Sequence, residues 1–169
     1  MAQTAEARAE ALRPTIAIGY NEPRPWQQKW QDVLHALEQL ERAYATEEGQ
    51  GNEDVRRVVE DFYKTCRELA DWLWADEQNT GLDESIVRML MRDDPLRLAD
   101  AMAQTTKHHT RWGNDPITAR VSEIRVGPDG ARAKISWYRA SGESGSEDAL
   151  DLARRCVGAW QNFIAQNGL

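Results

Sequence analysis

The sequence predicts a mainly α fold: an antiparallel bundle of about five helices, with a β-hairpin inserted between the fourth and the fifth. Three observations carry that expectation. Apolar residues recur at steps of three and four through five separate stretches, the period of a helix with one buried face. Between residues 117 and 139 the pattern changes to β-branched and aromatic residues around Gly127-Pro128-Asp129-Gly130, a strong turn signal. The connections between the periodic stretches are short, which favours up-and-down neighbours.

Residues 1–25 form an N-terminal arm, because Pro14, Pro23 and Pro25 break any continuous helix. Residues 26–169 then form one bundle domain. The first helix is expected from about Pro25 to Thr46, with the stripe Trp26, Trp30, Val33, Leu34, Leu37, Leu40, Tyr44. The second starts at Asn52, a natural N-cap, where Glu53 and Asp54 suit the positive helix start. Its stripe is Val55, Val58, Val59, Phe62, Cys66, Leu69, Leu73, and it ends near Ala75 or Glu77.

A short third helix is expected over about Asp83 to Met91, with Ile86, Met89 and Leu90 inward. The fourth opens at Asp94-Pro95, Asp as cap and Pro at the first helical position, and runs to about Thr110. Leu96, Ala99, Met102, Ala103 and Thr106 mark its inner face. The hairpin pairs 117–126 with 131–139, and Ala131, Ala133, Ile135 and Trp137 share the face that must pack on the helices. Ser141 to Ser146 reads as a polar loop, and Ser144 to Glu147 has capping-box spacing. The fifth helix follows, with Leu150, Ala153, Val157, Trp160 and Ile164 inward and Gly168 at its C-terminal end.

With 169 residues the chain can bury a real core, roughly 70% of its unfolded surface. The net charge of −7 is uneven. Residues 1–90 hold 10 Lys and Arg against 18 Asp and Glu, residues 91–140 hold 9 against 6, and residues 141–169 hold 2 against 4. That balance argues against global attraction to nucleic acid and leaves one locally basic segment. Cys66 and Cys156 both fall on apolar stripes and are expected as buried free thiols. Of the seven Trp, most are expected in the core or its rim, with one or two exposed. The first residues lack the apolar core of a signal peptide, and no run reaches the ~20 apolar residues of a membrane span. A cytoplasmic protein is therefore expected.

Two segments carry polar groups that helix stability does not require. The first is Cys66 to Leu73, with Asp71 beside Trp72, and the second is Leu98 to His109, with Asp100, Lys107, His108 and His109. The site is expected where these helices meet. Asp71 sits near the apolar face and wants a partner, for which Lys107 or a protonated His108 would serve. As an acid–base site, His108, Lys107 and Asp71 would act on substrate. Asp100, Gln104, Thr105, His109, Arg111 and Trp72 would bind it. The plainer reading is an ion pair between the two helices, with Lys107, His108, His109 and Arg111 complementing the helix dipole in the last turn. Adjacent His residues point about 100° apart on a helix, and neither His-Glu-x-x-His nor paired Glu-x-x-His occurs, so no metal and no cofactor are expected. Gly-x-Ser-x-Gly and Gly-rich phosphate loops are also absent.

These pieces together resemble an uncharacterised family of bacterial helical proteins. In it an aromatic-Cys-x-x-Leu-x-Asp-Trp helix precedes a helix ending in Lys-His, then a hairpin and a terminal Trp-x-x-Phe helix. The matching residues are Phe62 with Cys66 to Leu73, Leu98 to His108, 117–139, and Trp160 to Leu169. The family is similar in outline to HEPN-like domains of toxin and phage-defence systems. Active HEPN ribonucleases carry Arg, four to six residues, then His, a spacing this chain lacks before His35, His108 and His109. The resemblance therefore implies a non-catalytic member, or one whose site differs. The leading expectation is a helical-bundle protein acting through protein association, as a homo-oligomer or a complex subunit. The alternative is a ribonuclease or nucleotide-processing enzyme using Lys107 and His108.

Overall fold

A computed structural model describes residues 25–45, 51–76, 80–107 and 116–169, with backbone alone at 106 and 107. Five helices are present among these residues: α1 (Trp26–Ala45), α2 (Asn52–Ala75), α3 (Glu84–Leu90), α4 (Leu96–Lys107) and α5 (Ala149–Gln166). Between α4 and α5 lie β1 (Thr118–Gly127), β2 (Gly130–Tyr138) and β3 (Ser144–Asp148), in the sheet order β1-β2-β3 with both pairings antiparallel. The expected N-terminal arm, apart from Pro25, lies outside the described residues.

The expected hairpin is there, closed at Gly127 and Gly130, but it belongs to a three-stranded sheet. The segment read as a polar loop supplies the third strand: Ser144 pairs with Tyr138, and the register runs to Asp148 opposite Lys134. Ser-Gly-Ser-Glu-Asp has no apolar alternation because an edge strand needs only one partner and little buried face. Gly145 is required there, because a Cβ would lie 2.7 Å from the Trp137 ring that crosses it.

Helix ends follow the side chains that satisfy the first free N–H groups. Asp148 caps α5, its Oδ1 accepting from Leu150 N (2.8 Å) and Asp151 N (3.2 Å). This corrects Ser144 as the cap. Asp83 caps α3 in the same way, accepting from Ser85 N and Ile86 N. Gly51, rather than Asn52, stands at the N-cap position of α2. Asp94 precedes α4 by two residues, and its carboxylate takes Arg97 through two contacts of 3.2 Å. At the other end of α5, Gly168 has φ +67 just past the Asn167 cap, as the sequence implied.

The core is one continuous cluster drawn from all five helices and the inner face of the sheet. Tyr63, Phe62 and Trp160 are among its largest fully buried side chains. Burying each such side chain stabilises the fold by roughly 1.5–3 kcal/mol. Cys66 and Cys156 are buried free thiols in this cluster. Trp26 and Trp160 are buried, Trp30, Trp72 and Trp137 pack partly buried against the core, and Trp74 is exposed. On the sheet, Ala119, Val121, Ala131, Ala133 and Ile135 face inward.

The short α3 departs from expectation. Val87 is its buried residue, whereas Ile86 (38%) and Met89 (66%) are exposed. Leu90 alone of the expected three packs against the core, and only partly. Leu82, buried just before the helix, joins Val87 in anchoring it. Thr80 fixes that approach: its hydroxyl donates to Leu73 O (3.0 Å) and accepts from Leu82 N (3.2 Å). These contacts turn α3 so that its apolar pair faces solvent.

Candidate functional site at the meeting of the second, third and fourth helices

The two helices singled out by the sequence do meet, and a cleft of about 410 Å³ opens at their junction with α3. Ala70, Val87 and Met91 line it along with the indole of Trp74. Its charged lining consists of Arg67, Arg88 and Arg92 with Asp71, Glu84 and Asp100, three guanidiniums and three carboxylates. α2 supplies Arg67, Asp71 and Trp74 from successive turns of one face.

Arg67 organises the carboxylates. Its Nη1 donates to Asp71 Oδ2, one turn along the same helix. Its Nε lies 3.5 Å from Asp100 Oδ1 on α4, within ion-pair range but outside hydrogen-bond geometry. An ion pair between α2 and α4 is thus present, Arg67 with Asp100; the partners expected for Asp71, Lys107 and His108, have side chains outside the described residues. On α3, Arg88 Nε donates to Glu84 Oε1 at 2.7 Å.

Of the residues named from sequence, Asp71 and Asp100 are brought together. Trp72 is not part of the cleft: Lys29 Nζ lies over its ring at 5.1 Å, while the same Nζ pairs with Glu68 Oε2 at 3.1 Å. Thr105 turns its hydroxyl onto its own helix, donating to Ala101 O at 2.8 Å. Gln104 is half-buried and does not line the cleft. Lys107 closes α4, and its side chain, with His108, His109 and Arg111, lies outside the described residues. Arg67, Trp74, Arg88 and Arg92 were not named as site residues. For Arg67 the signal was in the chain, since it stands four residues before Asp71.

Elsewhere, burial raises the pKa of one thiol and two tyrosine hydroxyls in the core. Burial pushes the Cys156 thiol well up, and a hydrogen bond with Cys66 adds to it. A thiol so held is not a nucleophile at neutral pH. Burial likewise pushes the Tyr63 hydroxyl well up, and that hydroxyl donates to Ala149 O at 2.6 Å. Burial also pushes Tyr44 up to about 12. Among the described residues no group of three or more His, Cys, Asp or Glu is placed to hold a metal ion. None of their helices is long and apolar enough to cross a membrane. No family model, curated protein or solved structure matches the chain.

Proposed function

We propose that this protein acts by associating with another polypeptide through the surface where α2, α3 and α4 meet, and that it catalyses no reaction there. The reading is of a cytoplasmic homo-oligomer or complex subunit. The resemblance drawn from the sequence suggests a toxin or phage-defence setting for that assembly.

One observation carries the reading. The cleft combines three guanidiniums and three carboxylates with apolar side chains, of which Trp74 is 41% exposed, and Met89, 66% exposed, stands on the outer face of the adjoining α3. Interfaces are enriched in Trp, Met and Arg, with an apolar centre and a polar rim. A phosphate or nucleic-acid ligand would be repelled by Asp71, Glu84 and Asp100 as much as it was attracted by the three arginines. The alternative, nucleotide chemistry through Lys107 and His108, draws less support because Asp71 is engaged by Arg67.

The test is a photo-crosslinking amino acid placed at position 89 and, as a control, at exposed Gln161 on α5, in cells producing the full chain. A discrete protein adduct from position 89 and none from 161 is expected. Equal labelling, or no adduct from 89, would contradict the proposal.

A further inference from the structure

We propose that the edge of β1 from Glu123 to Gly127 takes an extended segment of a partner polypeptide as a fourth, antiparallel strand. That segment carries a carboxylate opposite Arg125 and apolar side chains opposite Ile124 and Val126. The contact lies on the sheet, apart from the cleft, and stands or falls without it.

β1 is an edge strand. In the order β1-β2-β3 it pairs with β2 and, among the described residues, with no strand on its other side. An open edge offers a row of N–H and C=O groups, which an extended polypeptide satisfies by adding a strand. The first half of β1 is guarded. Arg56 Nη1 donates to Val121 O at 3.4 Å, and a bulge between Val121 and Glu123 breaks the ladder. From Glu123 to Gly127 the pairing with β2 is regular down to the turn, so the ladder there can take a second neighbour.

Both faces of that stretch are incomplete. Ile124 and Val126 share the inward face, because their partners on β2 are Ala133 and Ala131, both buried. Ala131 is 1% exposed, yet Val126 directly opposite is 41% exposed, so the helical cover gives out between β2 and the edge. On the outward face Arg125, its side chain 78% exposed, stands directly opposite Arg132. Like charges so placed destabilise a sheet. Glu123 divides its carboxylate between Arg125 and Lys134. Asp148, opposite Lys134 on β3, is taken up by the start of α5. Arg125, Arg132 and Lys134 thus have one carboxylate between them, and an acid opposite Arg125 supplies a second. A second copy of this chain fits less well. The antiparallel register that packs Ile124 on the Val126 of another copy sets Arg125 against Arg125. The register that brings Glu123 to Arg125 pairs only three residues before the bulge.

The experiment is amide hydrogen exchange of the full chain with and without a blocked seven-residue peptide of alternating valine and glutamate, its affinity read by fluorescence anisotropy. The peptide should bind saturably and slow exchange within residues 123–127. Arg125→Glu should weaken binding at least tenfold and should prefer the peptide with lysine in place of glutamate. Val126→Ser should weaken it as well. Both side chains are exposed, so thermal unfolding of either variant should stay in place. Met89→Glu, on a different surface, should leave peptide binding unchanged. No binding would overturn the proposal. So would binding that leaves exchange in 123–127 unaltered or that is indifferent to Arg125→Glu. Protection of 123–127 that rises with protein concentration in the absence of peptide would give the edge to a second copy and overturn the partner assignment.

Discussion

Gly130 lies against the carbonyl oxygen of Tyr44, so close that a Cβ at 130 would sit 1.9 Å from it. The residue that opens β2 thereby docks the hairpin on the last turn of α1. Arg132 strengthens the joint: its Nη1 donates to the same carbonyl at 3.3 Å, and its guanidinium lies over the Tyr44 ring at 5.3 Å. That carbonyl lies in the last described turn of α1. Gly130 also has φ +91, a conformation costly to any residue with a Cβ. Gly130→Ala is therefore expected to cost at least about 2 kcal/mol, read as a lower urea midpoint.

Tyr44 substitutes for a missing strand. β3 begins to pair with β2 at Lys134, one residue beyond Ala133. The Tyr44 hydroxyl takes the vacant place, accepting from Ala133 N (2.9 Å) and donating toward Ala133 O (3.1 Å) or Asp148 Oδ2 (3.3 Å). Tyr44→Phe should cost about 1–3 kcal/mol, because it strands a buried backbone N–H.

The same tyrosine gives the fold an alkaline limit. Tyr44 is raised from 10.0 to about 12 in the folded chain. Its contribution is fully present below pH 10 and is lost as the pH rises through 12, since the unfolded chain ionises first. Tyr63 shifts in the same direction. Stability measured from pH 9 to 12 should fall with pH, and in Tyr44→Phe it should fall less steeply without becoming flat.

The Arg67 bridge predicts unequal losses. Asp71 is 48% exposed and Asp100 24%. Asp71→Asn should cost under about 1 kcal/mol, as exposed pairs do. Arg67→Met should cost more, about 1–2 kcal/mol, since it leaves the less exposed Asp100 without this cation. Chemical denaturation of both single variants and the double variant should show non-additivity, because the two carboxylates share the one guanidinium of Arg67.

Gly145 and Trp137 give a prediction of a different kind. Gly145→Ala pushes a methyl group into the indole, which must swing outward or bend β3. A loss of about 1–3 kcal/mol and a red-shifted tryptophan emission are expected.

What the sequence made legible follows from how many turns each pattern spans. α1, α2 and α5 repeat their apolar steps over several turns, so their bounds and buried faces were readable from the chain. α3 has seven residues, and Val87-Leu90 fits the helical period as well as Ile86-Met89-Leu90 does. Its face is decided by Thr80 and Leu82 outside the helix, which periodicity cannot report. β3 was hidden because backbone pairing to β2 defines it, and Ser-Gly-Ser-Glu-Asp has the composition of a loop. The meeting of α2 and α4 and the two carboxylates were legible. The cation between them was overlooked because basic residues crowd the end of α4 and drew the expectation there, while the i,i+4 partner of Asp71 lay on its own helix. Trp72 and Trp74 show how little adjacency decides. Two residues turn the side chain about 200°, from a ring over which Lys29 lies to one lining the cleft.

The most direct measurement of the central claim is the native mass spectrum of the full chain purified gently from cells that produce it. The account predicts a defined assembly heavier than one chain, made of polypeptide alone, that dissociates when Met89 is replaced by Glu. A monomer carrying a nucleotide or RNA fragment would contradict it and make Lys107 and His108 the residues to replace first.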